Sequence, residues 1–113
     1  MFAGDDRALA LARTLLDRGD DRALSPFERS FLYMPFMHSE ALADQERCVD
    51  LFEALVHDTA TPVRERMEYN LTFARAHRDI VARFGRFPHR NDALGRPSTE
   101  EERRFLTQPG SSF

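Results

Sequence analysis

The fold is decided by residues 63–85, VRERMEYNLTFARAHRDIVARFG. From Val63 onward, apolar side chains recur every three or four positions, which is the spacing of one face of an α-helix. They are Met67, Leu71, Phe73, Ala74, Ile80, Val81 and Phe84. Pro62 favours a helix start, and Gly85 is the residue type that most often follows a helix end. The pattern therefore predicts a helix of about six turns.

Two helices are predicted on the N-terminal side. Residues 6–18 have helical apolar spacing and end before Gly19, which favours a helix stop. The sequence Ser25-Pro26-Phe27-Glu28 combines an N-cap hydroxyl, a proline at the first helical position and a capping-box glutamate. It predicts a short helix that runs to about Tyr33. Pro35 lacks a backbone N–H, so we expect the helix to stop or kink in the junction at residues 34–39.

Two more helices complete the prediction. Ser39 is the expected cap of a helix that ends near Asp58, and residues 98–101, STEE, are expected to cap a short final helix that ends around Leu106. The loop between the last two helices, residues 85–97, has no periodicity. No segment alternates long enough to predict a strand. The sequence thus predicts an all-α fold of five helices in antiparallel hairpins.

Composition excludes several classes of protein. The chain has 113 residues, 42% of them hydrophobic and 31% charged, with a net charge of −3, which fits a single globular domain at residues 1–113. The near-neutral charge gives no basic field for nucleic acid. Neither a signal peptide nor a membrane span is apparent. The single cysteine, Cys48, cannot form an intramolecular disulfide, so we expect a cytoplasmic protein.

Polar residues interrupt an apolar stripe after the junction. His38 and Gln45 share a helical face with Ala41, Cys48 and Phe52, so both are expected to point inward. Glu40 and Asp44 lie beside them. Since buried polar groups need partners, these residues either tie helices together by hydrogen bonds or line a cavity that a ligand completes.

A second polar cluster follows the longest helix. His77 lies on its apolar face, and the loop after Gly85 places Arg86, His89, Arg90 and Asn91 as donors, with Arg83 just before it. Such a loop is suited to a small anionic ligand. Alternatively, these arginines cap the carbonyl end of the helix and pair with Glu40 or Asp44.

Other chemistries are less favoured. His38, Glu40, His77 and His89 are possible metal ligands, but the arginines around them would repel a cation, so we predict neither a metal nor a cofactor. Cys48 lies inside an apolar stripe, where a thiol is normally inert. Nucleic-acid binding is not predicted, because the acidic residues Asp92 and 100–102 dilute the only basic patch, which is Arg83, Arg86, Arg90 and Arg96.

Four strings together resemble the bacterial domain-of-unknown-function family 924. They are FLYMPFMHSE at 31–40, ADQE at 43–46, AHRDIVARFGRFPHRN at 76–91 and LGRPSTEEE at 94–102. The resemblance implies a tetratricopeptide-like helical protein with no established activity. The residues that it implies for sites are His38, Glu40, Asp44, Gln45, His77, Arg83, Arg86, Phe87, Pro88, His89, Arg90 and Asn91.

The resemblance also has a gap. Family members begin with further helices and a Leu-Asp-Gln-Phe-Pro-Arg-Asn stretch, neither of which precedes the matching motifs here, so this chain resembles the later part of the domain. The first helix would then have an uncovered stripe, expected at Leu9, Leu11, Leu15 and Leu16. We expect self-association or a partner protein at that face.

Two functions remain open from the sequence. The first is a non-catalytic module that binds a ligand or partner, with a pocket lined by His38, Glu40, Gln45, His77, Arg86 and Arg90. The alternative is a hydrolase-like enzyme in which His38 or His77 is the general base, Glu40 orients it, and Arg86 with Arg90 stabilises an anion.

Overall fold

The structure, a computed structural model, describes residues 5–112. Its α-helices are α1 (Asp5–Asp17), α2 (Pro26–Met37), α3 (Leu42–Asp58), α4 (Val63–Phe84) and α5 (Glu100–Leu106). Short 3-10 turns lie at Asp20–Ala23 and Pro88–Arg90. No β-strand occurs among the described residues, so the predicted all-α fold of five helices is confirmed. None of the described helices is long and apolar enough to span a membrane.

The helix ends follow the local sequence signals. The predicted bounds of α4 agree with the structure, and Gly85 closes it with φ 73°, a left-handed conformation that glycine adopts without strain. Capping boxes start α2 at Ser25 and α5 at Thr99. In each, the hydroxyl accepts a backbone N–H and the third helical residue, a glutamate, accepts the N–H of the cap.

The prediction that α2 ends near Tyr33 was wrong, because the helix continues through Pro35 to Met37. A proline removes one hydrogen bond, here to the carbonyl of Phe31 four residues earlier. Phe31 is 75% exposed, so water can reach that region of the helix. The helix then ends within a turn, where the N–H of His38 donates to Met34. Proline is therefore tolerated in this last turn.

Ser39 does not cap α3, contrary to the prediction. The N-cap residue is Ala41. The Ser39 hydroxyl instead accepts the N–H of Ala41 at 3.1 Å and donates to the Asp44 carboxylate at 2.7 Å. It thus orders the short connection between α2 and α3.

Two clusters of apolar side chains hold the helices together. The larger cluster contains side chains from all four of the helices α1, α2, α3 and α4. Its largest fully buried members are Tyr33, Phe36, Phe52, Leu55 and Met67. The smaller contains Ile80, Val81 and Phe87, with Phe84 and Phe105 packed against it, and so joins the end of α4 to the following loop and α5.

The first helix is only partly covered. Ala12 is fully buried, and Leu9 and Leu16 pack against the larger cluster. Leu11, by contrast, is 60% exposed. The expectation that the whole stripe is uncovered therefore fails for Leu9 and Leu16.

Candidate functional site

A cleft of about 250 Å³ lies where the start of α1, the α2–α3 connection and the loop after α4 meet. Its lining residues are Asp5, Asp6, Leu9, Pro35, His38, Ser39, Glu40, Arg90 and Leu94. The cleft therefore contains three of the predicted site residues, His38, Glu40 and Arg90. Carboxylates and a guanidinium both face this small volume.

Glu40 holds one wall of the cleft in place. Its two carboxylate oxygens accept from the Arg96 guanidinium at 2.8 and 3.0 Å, and one of them also accepts the backbone N–H of Phe87 at 2.6 Å. Burial alone would raise the pKa of Glu40, but the hydrogen bonds from Arg96 and Phe87 outweigh it and hold the pKa below its usual value. Glu40 is therefore ionised at neutral pH.

Arg96 connects Glu40 to the loop after α4. Besides Glu40 it donates to the Phe87 carbonyl and to the Asn91 side-chain oxygen, each at 3.1 Å. Asn91 is 1% exposed and donates in turn to Ser98. The predicted site residue Asn91 thus supports the loop from inside and does not face the cleft.

His38 lies at the end of α2, on the wall of the cleft, and its residue surface is exposed, so the prediction that it points inward was wrong. Desolvation lowers its pKa, and the positive charge of Arg90 lowers it further, against an opposing effect of Asp5. His38 is therefore neutral at pH 7. In that state its ring offers one hydrogen-bond donor and one acceptor.

His77 lies outside the cleft lining, in the protein interior. It is 6% exposed, its Nδ1 is 2.6 Å from the Phe73 carbonyl, and its ring meets the Phe87 ring edge-on at 5.6 Å between centroids. The carbonyl contact requires a proton on Nδ1. Burial lowers the pKa of His77 to about 4, although the hydrogen bond to the Phe73 carbonyl opposes this shift. The charge of Arg90, and those of His38 and His89 when these histidines are protonated, lower the pKa further.

Two further predicted residues complete this electrostatic cluster. Burial lowers the pKa of His89, and Arg90 lowers it further. The Arg90 guanidinium lies 4.6 Å over the centre of the Phe87 ring, a cation–π geometry. The structure thus brings His77, His89 and Arg90 together around Phe87.

Gln45 and Asp44 have structural contacts instead. Gln45 is fully buried, and its amide nitrogen lies 2.7 Å from the carbonyl of Met37 and 2.6 Å from that of Ser39. Asp44 accepts from Arg13 at 2.6 Å. These contacts favour the interpretation in which inward polar groups tie the helices together.

Arg83 and Arg86 lie away from the cleft. Arg86 donates to both oxygens of the Glu102 carboxylate at 2.9 and 2.7 Å, and Arg83 pairs with Glu101 at 3.1 Å. Their partners are thus on α5, and not Glu40 or Asp44 as the sequence alternative expected. Hydrogen bonds from Arg86 and from the N–H of Thr99 hold the pKa of Glu102 at about 2, although burial opposes them.

Sequence reasoning missed Arg13, Arg96 and Glu102 as partners of the site residues. Glu102 had a local signal, since it is the third helical residue after Thr99 in a capping box. Arg96 had none, because it lies 56 residues from Glu40 and no periodicity connects the two.

In the hydrolase alternative, Glu40 would orient His38 or His77. Among the described residues, the Glu40 carboxylate accepts hydrogen bonds from Arg96 and from the backbone N–H of Phe87, and from neither histidine. Burial raises the pKa of the Cys48 thiol to about 12, so it is protonated at neutral pH. Within residues 5–112 no group of three or more potential metal-ligating side chains is found.

A family model and a solved structure both match the chain. A family model described as a bacterial protein of unknown function, DUF924, matches residues 1–110. The solved structure of a protein of unknown function from Agrobacterium tumefaciens is 43% identical, with a TM-score of 0.79; the match covers 94% of this chain and 54% of that chain. The chain thus spans about half the length of this relative. No curated protein shows significant similarity.

Proposed function

Since the chain belongs to the bacterial DUF924 family of unknown function, we propose a function from the cleft itself. The protein is a non-catalytic module that binds a small ligand carrying both a positive and a negative group. The observation behind this proposal is that opposite charges line one cleft of about 250 Å³.

The charges suggest how such a ligand would lie. Asp5 and Asp6, in the first turn of α1, face a ligand amine, and Arg90 with His38 faces a carboxylate or phosphate. Glu40 adds negative charge, but Arg96 already neutralises it. With two carboxylates against one guanidinium, the lining favours a ligand with a cationic group over a simple anion. The sequence predicted an anionic ligand. The proposed ligand keeps that negative group, at Arg90, and adds a cationic group.

The volume suggests the ligand's size. Clefts for drug-sized molecules have roughly 300–1,000 Å³, so this cleft suits a molecule the size of an amino acid. The Glu40–Arg96 pair keeps the wall in place before any ligand arrives, which lowers the entropic cost of binding.

Two broader expectations belong to the same proposal. A stack of antiparallel hairpins of the tetratricopeptide kind is the scaffold, with α1–α2 and α3–α4 as successive hairpins. The protein works in the cytoplasm, where the unpaired Cys48 stays reduced.

The test is an NMR titration of the isotopically labelled full chain. The probes are zwitterionic amino acids, a simple amine, a simple carboxylate and inorganic phosphate. We expect zwitterions to shift the amide signals of residues 5–9, 38–40 and 90–94 in a saturable way, with the single-charge probes at least about tenfold weaker.

Matched variants test which residues bind the positive and the negative group of the ligand. Asp5→Asn with Asp6→Asn should weaken amine-containing probes and leave carboxylate binding unchanged, whereas Arg90→Gln should do the reverse. Asp92→Asn, an exposed carboxylate outside the cleft lining, is the control. Phosphate binding that equals zwitterion binding, or shifts that do not depend on these residues, would refute the proposal.

A further inference from the structure

A second cleft, of about 350 Å³, lies between the end of α1, the 3-10 turn at Asp20–Ala23, α2 and α3. It shares no lining residue with the first cleft. Its volume is within the range of roughly 300–1,000 Å³ that is usual for small-molecule sites. We call it the arginine cleft, because its charged lining residues are Arg22, Arg29 and Arg47 with Asp21 and Asp58.

Buried hydrogen bonds fix the orientation of Arg29. Its Nε donates to the Tyr33 hydroxyl at 3.1 Å, and that hydroxyl donates to the Asp21 carboxylate at 2.8 Å. Tyr33 is fully buried, and Asp21 is buried as well. Asp21 is therefore already engaged inside the protein, whereas the guanidinium of Arg29 is held in place before any ligand binds.

The terminal nitrogens of Arg29 have no hydrogen-bond acceptor among residues 5–112. The carboxylate of Asp21 is 3.9 Å from them, although the Arg29 side chain is only 19% exposed. Arg86 and Arg96 have more exposed side chains, at 27% and 24%, yet each has a carboxylate oxygen within 2.8 Å. A guanidinium that is largely removed from water needs acceptors, so Arg29 is suited to bind an additional anion.

Two more guanidiniums line the same cleft. Arg47 lies 5.1 Å over the Phe36 ring, and its distance to Asp17, 3.6 Å, is longer than a hydrogen bond. Arg22 is exposed and forms no ion pair with another residue of the described chain.

One carboxylate opposes these arginines. Asp58, the last residue of α3, is exposed and lines the cleft. Since Asp21 is engaged by Tyr33, three guanidiniums face a single available carboxylate. The arginine cleft therefore has an excess of positive charge, which favours an anion.

We propose that the arginine cleft binds a small phosphate monoester. Such a group carries roughly two negative charges near neutral pH and has three acceptor oxygens, which match several guanidiniums better than a carboxylate does. Leu16, Leu51 and Ala54 form the apolar part of the lining, and the organic group of the ester lies against them. The two clefts share no lining residue, so this binding is independent of the proposed function.

An NMR titration of the labelled full chain with phenyl phosphate, at about pH 7.5, tests the proposal. We expect saturable shifts of the amide signals of residues 16–22 and 47–54 and of the Arg29 Nε–H signal. Benzoate lacks the second charge and inorganic phosphate lacks the organic group. Each should therefore bind at least about tenfold more weakly than phenyl phosphate.

Substitutions of opposite sign test the charges. Arg22→Gln and Arg47→Gln should each weaken phenyl phosphate binding by about tenfold, because each removes a charge-assisted hydrogen bond. Asp58→Asn should strengthen binding by about twofold or more, because it removes the opposing charge. Arg103→Gln, at an exposed arginine of α5 outside this cleft, is the matched control. Circular dichroism checks that each variant keeps its helices.

Four results would overturn the proposal. They are the absence of saturable shifts, shifts confined to residues 5–9, 38–40 and 90–94 of the first cleft, binding that Arg22→Gln and Arg47→Gln leave unchanged, and benzoate binding as tight as that of phenyl phosphate. Inorganic phosphate that binds as tightly as phenyl phosphate would overturn the contact of the organic group with Leu16 and Leu51.

Discussion

Glu40 is the residue whose loss should matter most to the cleft. It accepts three hydrogen bonds, from Arg96 and from Phe87, and so connects the α2–α3 junction to a loop about 50 residues later. Glu40→Gln keeps the shape but removes the charge, and we expect it to lower the free energy of unfolding by about 1–3 kcal/mol. Urea denaturation at pH 7 measures this.

The matched control for Glu40 is Glu101→Gln. Glu101 is an exposed carboxylate whose guanidinium partner is Arg83. Exposed pairs contribute little, so we expect a change of less than about 0.5 kcal/mol. Equal losses of stability from the two substitutions would show that Glu40 and its partner Arg96 contribute no more than an exposed ion pair.

His77 should make the protein sensitive to mild acid. Its pKa in the folded protein, about 4, is below its usual value of 6.5, so protons bind the unfolded chain more readily. Stability is therefore complete above pH 6.5 and is lost as the pH falls from 6.5 toward 4. Between pH 7 and pH 5 we expect a loss of about 2 kcal/mol from this residue.

His38 and His89, whose pKa values are also lowered, act in the same direction, and Arg90 lies near all three. His77→Gln should therefore reduce the pH dependence without abolishing it. Following the imidazole proton signals by NMR measures each histidine directly. A His77 midpoint near 6.5 would contradict the expected burial effect.

At this scale the sequence predicted residue types better than partners. The inward direction of Gln45 followed from helical spacing. Of the six residues expected to line one pocket, His38, Glu40 and Arg90 line the cleft, whereas Gln45, His77 and Arg86 do not. The Arg96–Glu40 pair could not be predicted, because any of sixteen arginines could have been the partner of Glu40. Which arginine pairs with Glu40 is determined only by the folded structure.

Helices were predicted well where several signals agreed. α4 combines a long apolar stripe with a left-handed glycine at its end, and the predicted bounds match. The helix α2 had conflicting signals, since its capping box favours a start and Pro35 favours a stop. The burial of Phe36 and Met37 extended the helix past the proline, and tertiary packing of this kind is not visible in local sequence.

Pro35 should consequently be replaceable with a gain. Pro35→Ala restores the N–H that can donate to the Phe31 carbonyl, and we expect it to stabilise the protein by about 0.5–1.5 kcal/mol, less than the full interior penalty of proline. Thermal unfolding followed by circular dichroism measures this.

Pro26→Ala is the matched control for Pro35→Ala. Pro26 is the first residue of the same helix, where a proline is well tolerated. We expect no gain there. A loss on Pro35→Ala would mean that Pro35 is needed where it lines the cleft.

The whole molecule has a larger and a smaller apolar cluster, and they should differ in stability. The smaller one is built on Ile80, Val81 and Phe87, and α5 reaches it through Phe105. Regions with fewer buried apolar contacts open more readily. We expect the α5 amides to exchange hydrogen through openings of lower free energy than those of α3 and of α4 before Ile80.

Native-state hydrogen exchange measures these openings. Glu40→Gln should increase exchange in residues 85–97 more than in α3, because it releases the loop from the junction. Uniform protection across all five helices would instead indicate that the described chain opens as one unit.

Cys48 is a natural probe of how readily the protein core opens. Its thiol is fully buried, its sulfur lies 3.9 Å from the Tyr33 carbonyl, and the chain has no other cysteine. A thiol-directed dye can therefore attach only when the core between α2 and α3 parts. The rate at which the dye labels the wild-type protein therefore reports how readily the core opens, and no engineered cysteine is needed.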